Sequence, residues 1–221
     1  MNSATYTGYF PVATPDFNAD APSISRKIGA VPVDGPVIDL LSTDITCNFN
    51  AMPINDNGIS RVGSVTAGTN ISFHWNGFTH QGPIFTYMAK CDPDCGSFTG
   101  SIGKVWFKVD QRGYDTDWAT QYLFNQKNIW HTKIPNCLEP GEYLVRHEII
   151  ALSDCKTVGK CQFYPSCHQV KVLGSGTTKP ASDSLVSFPG GYSPTEPGIL
   201  WNTNTQLPKD YTMPGVKLFS C

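Results

Sequence analysis

Five histidines, at positions 74, 80, 131, 147 and 168, are the residues with the widest chemical reach in this chain, because imidazole both ligates metals and moves protons near neutral pH. None of them forms a close HxH or HxxxH pair, so no local metal motif stands out. His80, in Thr79-His-Gln-Gly-Pro83, lies between two strand candidates and belongs in a loop or at a strand end, where the plain expectation is a surface histidine. His147 shares a strand face with Tyr143, Val145 and Ile149, while Leu144, Arg146, Glu148 and Ile150 take the other, and a hydrogen-bonded core histidine is the default there. Gln162 and Tyr164 are two apart and point to one side of a strand; by residue type Tyr164 is a structural tyrosine with its hydroxyl satisfied, or an axial ligand. No G-x-S-x-G elbow occurs and no cysteine stands out as a free nucleophile. The paired carboxylates Glu139 with Glu142 and Asp115 with Asp117 fall in turn-like sequence, so a hydrolase has no positive support.

The elements that must position these groups read as strands. Segments rich in β-branched and aromatic residues run from Asn70 to Trp75, Ile84 to Lys90, Lys104 to Asp110, Ile129 to Ile134, Glu142 to Leu152 and Cys167 to Leu173, separated by Gly, Pro, Asn and Asp clusters. In Lys104 to Val109, residues Val105, Phe107 and Val109 face one way and Lys104, Trp106 and Lys108 the other, the period of a half-buried strand. Only Asp115 to Gln126 could hold a short helical turn. Many short strands with 17 prolines and 20 glycines point to an all-β fold, an immunoglobulin/fibronectin-like antiparallel β-sandwich whose long loops carry function. A chain of 221 residues, 40% hydrophobic, can bury one substantial core, so residues 1–221 are expected to form a single domain. Gly174 to Ser184 resembles a linker, but the C-terminal segment beyond it is too short to fold alone, which makes it a long loop.

A net charge of -2 without a Lys/Arg run gives no field for nucleic acid, and no apolar stretch reaches a membrane span. Eight cysteines without paired CxxC spacing favour disulfides and an oxidising, extracellular compartment, while leaving their pairing open. Met1 to Thr7 has neither a basic nor an apolar signal region. Asn70-Ile-Ser72 is an N-glycosylation sequon, which fits secretion.

Six ordered blocks add a resemblance: Gly35-Pro-Val-Ile-Asp39 with Asp44-Ile-Thr-Cys-Asn48; His80-Gln-Gly-Pro83; Pro140-Gly-Glu-Tyr-Leu-Val-Arg-His-Glu-Ile-Ile-Ala-Leu152; Gln162-Phe-Tyr-Pro-Ser-Cys167; Phe188-Pro-Gly-Gly-Tyr192 with Pro197-Gly-Ile199; and Tyr211-Thr-Met-Pro-Gly215. Over nearly the whole chain these resemble the fungal lytic polysaccharide monooxygenases of auxiliary activity family nine, formerly glycoside hydrolase family sixty-one. The resemblance implies one copper ion held by an N-terminal histidine and a second histidine that maps onto His80, with Tyr164 axial and His147 and Gln162 bonding an oxygen species at the metal. It implies tyrosines on a flat polysaccharide-binding face at Tyr192 and Tyr211. It also implies disulfides Cys47 to Cys167, tying the two sheets together, Cys91 to Cys95, Cys137 to Cys221 and Cys155 to Cys161. The expected reaction is oxidation of a C–H bond beside the glycosidic link of cellulose or a related β-glucan, by a secreted monomer using an external electron donor and O2 or H2O2.

One departure from the pattern bears on that expectation. Family members begin their mature chain with His and a first strand, whereas this sequence starts with Met at about the following turn and has no histidine before His74. The expectation is a sequence lacking its signal peptide and first strand by truncation. The alternative is a non-catalytic polysaccharide-binding or copper-handling relative without the histidine brace.

Overall fold

A computed structural model describes residues 4–6, 8, 23–29 and 35–221. The chain start on which the N-terminal expectation bears, Met1 to Ser3, lies outside the described residues. Along the rest run α1 (Asp44–Cys47), β1 (Asn55–Asp56), β2 (Ile59–Ser60), β3 (Gly63–Thr66), β4 (Asn70–His74), β5 (Ile84–Lys90), β6 (Trp106–Arg112), α2 (Ala119–Asn125), β7 (Ile129–Lys133), β8 (Gly141–Ala151) and β9 (Gln162–Leu173). Among the described residues, no helix is long and apolar enough to cross a membrane.

The large sheet has the order β3-β9-β8-β5-β6, antiparallel except for the parallel pair of β3 and β9, and a two-stranded sheet of β4 and β7 packs over one of its faces. The fold is thus a sandwich of open sheets, as its composition led one to expect. Between the sheets lie Phe73, Ile84, Met88, Phe107, Trp130, Val145 and Ile149, with Leu123 of α2 closing the side. The opposite face of the large sheet is covered as well, by α1 and the long loops after β9, which bury Phe85, Tyr87, Trp106, Leu144, Ile150, Phe163, Phe188 and Trp201. The alternation expected for 143–150 therefore holds, but each set faces a core of its own.

That double cover corrects the half-buried reading of 104–109. The strand is Trp106–Arg112, two residues later than expected, and Trp106 and Lys108 are as buried as Phe107 because Val186 bonds to the Trp106 backbone and the 214–219 segment crosses Lys108. The Lys108 ammonium donates to Pro214 O and Gln111 Oε1, each at 2.8 Å, and lies 5.0 Å from the centre of the Phe85 ring. Burial lowers its pKa to about 8. β9 begins at Gln162, five residues before the expected start, so Gln162 and Tyr164 are strand residues paired with Ala151 and Ile149. The 174–184 segment is a loop, bridged to Leu138 through Thr178.

All four disulfides implied by the resemblance are formed. Cys47–Cys167 does not tie the two sheets, however: Cys47 belongs to α1, so the bond pins α1 to β9. Inside the same core Arg146 and Glu148, both fully buried, form a forked ion pair, and Arg146 also donates to Ile45 O and Thr46 O of α1. With every partner supplied, the desolvation of the two charges is offset; the loss of one partner would leave the other uncompensated.

Candidate functional site

His80 sits exposed in the loop entering β5, and that loop is clamped along its length. Leu152 N–H donates to Gln81 O at 2.9 Å, Ile150 N–H to Pro83 O at 3.2 Å, and Gly82 exchanges two bonds with Thr120 of α2. Gly82 N–H donates to Thr120 Oγ1 at 3.1 Å, and Thr120 N–H to Gly82 O at 3.3 Å. A Cβ on residue 82 would lie 1.8 Å from Ile150 O, so only glycine lets the loop lie this close to β8. The clamp fixes the backbone two residues from the imidazole, which itself reaches solvent.

One aromatic ring joins His80 to β9. Phe78 meets the His80 ring edge-on at 5.6 Å and the Tyr164 ring edge-on at 5.0 Å. Tyr164 donates its phenol proton to Gln162 Oε1 at 2.9 Å, and Gln162 Nε2 donates to Asp154 Oδ2 at 2.7 Å. Because a carboxylate only accepts, Asp154 dictates which end of the Gln162 amide faces Tyr164 and thereby keeps Tyr164 in the donor role. Asp154 and Gln162 flank the Cys155–Cys161 disulfide, which holds the two ends of their loop together. The structure thus brings together His80, Tyr164 and Gln162. Phe78, Gly82, Thr120 and Asp154 escaped the sequence reading; the His80-Gln-Gly-Pro83 block and the short Cys155 to Cys161 spacing were the available signals for Gly82 and Asp154.

His147 does not join this group. Its ring is buried between the sheets, stacked on Phe73 at 4.0 Å between centroids with an interplanar angle of 3°, and Nδ1 lies 3.0 Å from Thr86 Oγ1. Ring contacts toward His80 pass through Trp75 and then Phe78. Burial, followed by the neighbouring His168, holds the His147 pKa well below the usual imidazole value, so it is neutral. An inter-sheet core position on the central strand, with a threonine partner, replaces the oxygen-steering role carried over from the resemblance. The buried partners of Thr86 continue through Thr132 Oγ1 at 2.9 Å to Asp110, which also accepts from Trp130 Nε1 at 2.7 Å. Burial raises the Asp110 pKa against those hydrogen bonds.

Tyr192 is likewise corrected. Its ring is buried, stacked on Phe163, and its hydroxyl donates to Glu148 Oε2 at 2.6 Å, so it serves the Arg146–Glu148 pair and presents no surface. Burial and then the Glu148 charge push its pKa well above the usual phenol value. Tyr211 is half-buried: its hydroxyl donates to Gly198 O at 2.7 Å, and its ring meets Trp118 and Trp201 edge-on, each at 5.1 Å. Trp118 in turn meets the exposed Tyr114 at 5.5 Å. Since Trp118 immediately precedes α2, which clamps Gly82, this ladder is anchored to the element that holds the His80 loop.

Among the described residues, no group of three or more His, Cys, Asp or Glu is placed to hold a metal ion. His80 and Tyr164, either side of Phe78, supply one imidazole and one phenol.

The profile of Auxiliary Activity family 9 (formerly GH61) matches residues 1–211. The chain belongs to this family. Its AA9 relatives are lytic polysaccharide monooxygenases, which are oxidoreductases. The AA9 family lytic polysaccharide monooxygenase A of Gloeophyllum trabeum is 43% identical over 223 residues, covering 97% of this chain and 68% of the relative; a second version of that protein is covered over 62% of its length. The B protein of the same fungus is 42% identical, over 97% of this chain and 86% of its own length. Among solved structures, the extended catalytic domain of H. jecorina LPMO9A superposes with a TM-score of 0.85 at 35% identity, over 97% of this chain and 86% of that one. A cellulose-active polysaccharide monooxygenase from M. thermophila gives a TM-score of 0.82 at 34% identity, over 97% and 93%. These neighbours share the AA9 β-sandwich.

Proposed function

We propose that this chain is the catalytic domain of a secreted, copper-dependent monooxygenase that oxidises a C–H bond beside the glycosidic link of cellulose or a related β-1,4-glucan, with an external electron donor and O2 or H2O2. The observation that carries this reading is the clamped, solvent-facing His80 with Tyr164 and Gln162 joined to it across Phe78.

The donor types fit copper in part: imidazole is a natural copper ligand and a phenol a weaker one, while the further nitrogen ligands would come from outside the described residues. His80 and Tyr164 would hold the ion, and copper, when bound, supplies the one-electron chemistry that activates oxygen. The protein's own contributions are positional. Asp154 sets the Gln162 amide, Gln162 keeps the phenol proton of Tyr164, and a phenol oxygen whose proton is held in this way can offer a lone pair to the ion. We assign to Gln162 the orienting of the oxidant and to Tyr211, with Tyr114 beside its ladder, the contact with sugar rings, whose apolar C–H faces suit the electron-rich faces of aromatic rings. The four disulfides suit an extracellular setting.

The test is to express the domain with a histidine as its first residue, load copper, and measure oxidised oligosaccharides released from cellulose with a reductant. Tight copper binding without oxidised product would overturn the reading. A second reading, a non-catalytic polysaccharide binder, draws on the lack of a three-ligand group among the described residues. Retention on crystalline cellulose that survives EDTA and falls on Tyr211→Ala, without any oxidised product, would select it.

A further inference from the structure

We propose that Asn70 is a modification site carrying an N-linked glycan on the outer face of the small sheet. Asn70-Ile-Ser72 is the only Asn-X-Ser/Thr sequence in the 221 residues, and X is not proline. Asn70 is exposed as the first residue of β4, and its side-chain amide makes no hydrogen bond among the described residues. The amides of Asn48 and Asn55, by contrast, are tied down, donating to Pro165 O at 3.0 Å and to Gly96 O at 3.1 Å respectively.

The sheet register shows where a glycan would lie. Asn70 stands opposite Lys133 and Ser72 opposite His131, and facing residues of an antiparallel pair point the same way. These four are exposed, whereas Phe73 and Trp130 turn into the core, so Asn70 projects from the outer face of the sandwich, where no side chain of the core competes for space. From Asn70 the strand runs toward His74, about 13 Å away at the usual rise, and then on to Trp75, Phe78 and His80. A glycan at Asn70 occupies the end of β4 remote from His80. Four disulfides with no free cysteine mark a chain that matures in an oxidising compartment, the setting in which such transfer takes place.

In the transfer, the Asn70 amide nitrogen forms a C–N bond to the anomeric carbon of a lipid-diphosphate-linked oligosaccharide. The sugar–phosphate bond breaks, the lipid diphosphate leaves with the electron pair, and the amide gives up one proton. The Ser72 hydroxyl that an acceptor sequence needs is engaged in the folded sheet, 2.8 Å from His131 Nδ1 on a strand 59 residues downstream. Transfer therefore precedes the pairing of β4 with β7.

The test is a peptide map by mass spectrometry of the full chain secreted from a yeast or filamentous fungal host, after an endoglycosidase that leaves one N-acetylhexosamine. The peptide containing Asn70 should carry that sugar in the wild type and in Ser72→Thr, and lose it in Asn70→Gln and Ser72→Ala. Should Asn70→Gln not be secreted, the Ser72→Ala and Ser72→Thr pair makes the same comparison. Wild-type protein secreted with only unmodified Asn70 would overturn the proposal, as would N-linked sugar persisting in Asn70→Gln. The measurement involves neither copper nor polysaccharide, so its outcome is separate from that of the proposed function.

Discussion

Acidifying the protein from pH 6.5 to 4 should cost stability through two histidines, the buried His147 and the half-buried His168, and His168 allows the size to be worked out. Its Nδ1 lies 2.7 Å from Ser25 Oγ and its Nε2 3.1 Å from Ser166 Oγ, so both ring nitrogens are engaged by neutral hydroxyls, and burial lowers its pKa from 6.5 to about 4. A group whose folded pKa lies below its unfolded one leaves stability unaffected above pH 6.5; the unfolded chain then takes up the proton first, and stability falls until about pH 4. The full difference corresponds to about 3 kcal/mol, and since the residue is half-buried rather than sealed, we expect about 2 kcal/mol. His147, its pKa also lowered, adds to the same slope, while Asp110, with its carboxyl raised by burial, opposes it at the acid end by accepting a proton earlier in the folded state. His168→Gln isolates the contribution: the amide can serve both serines and does not titrate. Denaturant unfolding with the disulfides intact, followed by tryptophan fluorescence at pH values from 7 to 4, should give a shallower loss for His168→Gln than for wild type. Identical slopes would show that His168 protonates freely in the folded protein and would refute the reasoning.

The same contacts set three further outcomes. Gly82→Ala should destabilise by about 3 kcal/mol, because its Cβ meets the Ile150 carbonyl of β8; a thermal midpoint within a degree of wild type would count against the clamp. Glu148→Ala should cost about 3–5 kcal/mol in denaturant unfolding by leaving Arg146 buried and unpaired, whereas an exposed partner such as Asp56 of Arg61 should matter little when replaced. Tyr192→Phe should lower stability by about 1–3 kcal/mol and leave retention on cellulose unchanged, since its hydroxyl serves Glu148; weakened retention with unchanged stability would return Tyr192 to the surface.

How far the sequence could be read depended on which interaction each signal encodes. Enrichment in β-branched and aromatic residues between turn residues gave β5 and β8 to within a residue because such composition is local, and period-two patterning gave the two sets of faces of β8 even though each meets its own core. It failed for Trp106 and Lys108, because the loops covering them come from 186 and 214–219 and leave no trace within the strand. For His147 the local default, a hydrogen-bonded core histidine, described the residue better than the role carried over from the family resemblance. Tyr192 shows the same limit: the resemblance placed it on a flat outer face, whereas a buried carboxylate from β8 claims its hydroxyl. His80 was legible as a loop residue, but Phe78, which joins it to Tyr164, reads as an ordinary loop aromatic until three dimensions place it between them.

The short ring closed by Cys155–Cys161 separates two kinds of evolutionary freedom. Lys156, Thr157, Val158, Gly159 and Lys160 are all exposed, yet the disulfide at the ring's base keeps Asp154 and Gln162 in register whatever those five residues are. Substitutions or insertions there can reshape the rim beside Gln162 while the hydrogen bonds running to Tyr164 stay in place. The ring is a natural position at which to graft new surface contacts onto an unchanged framework.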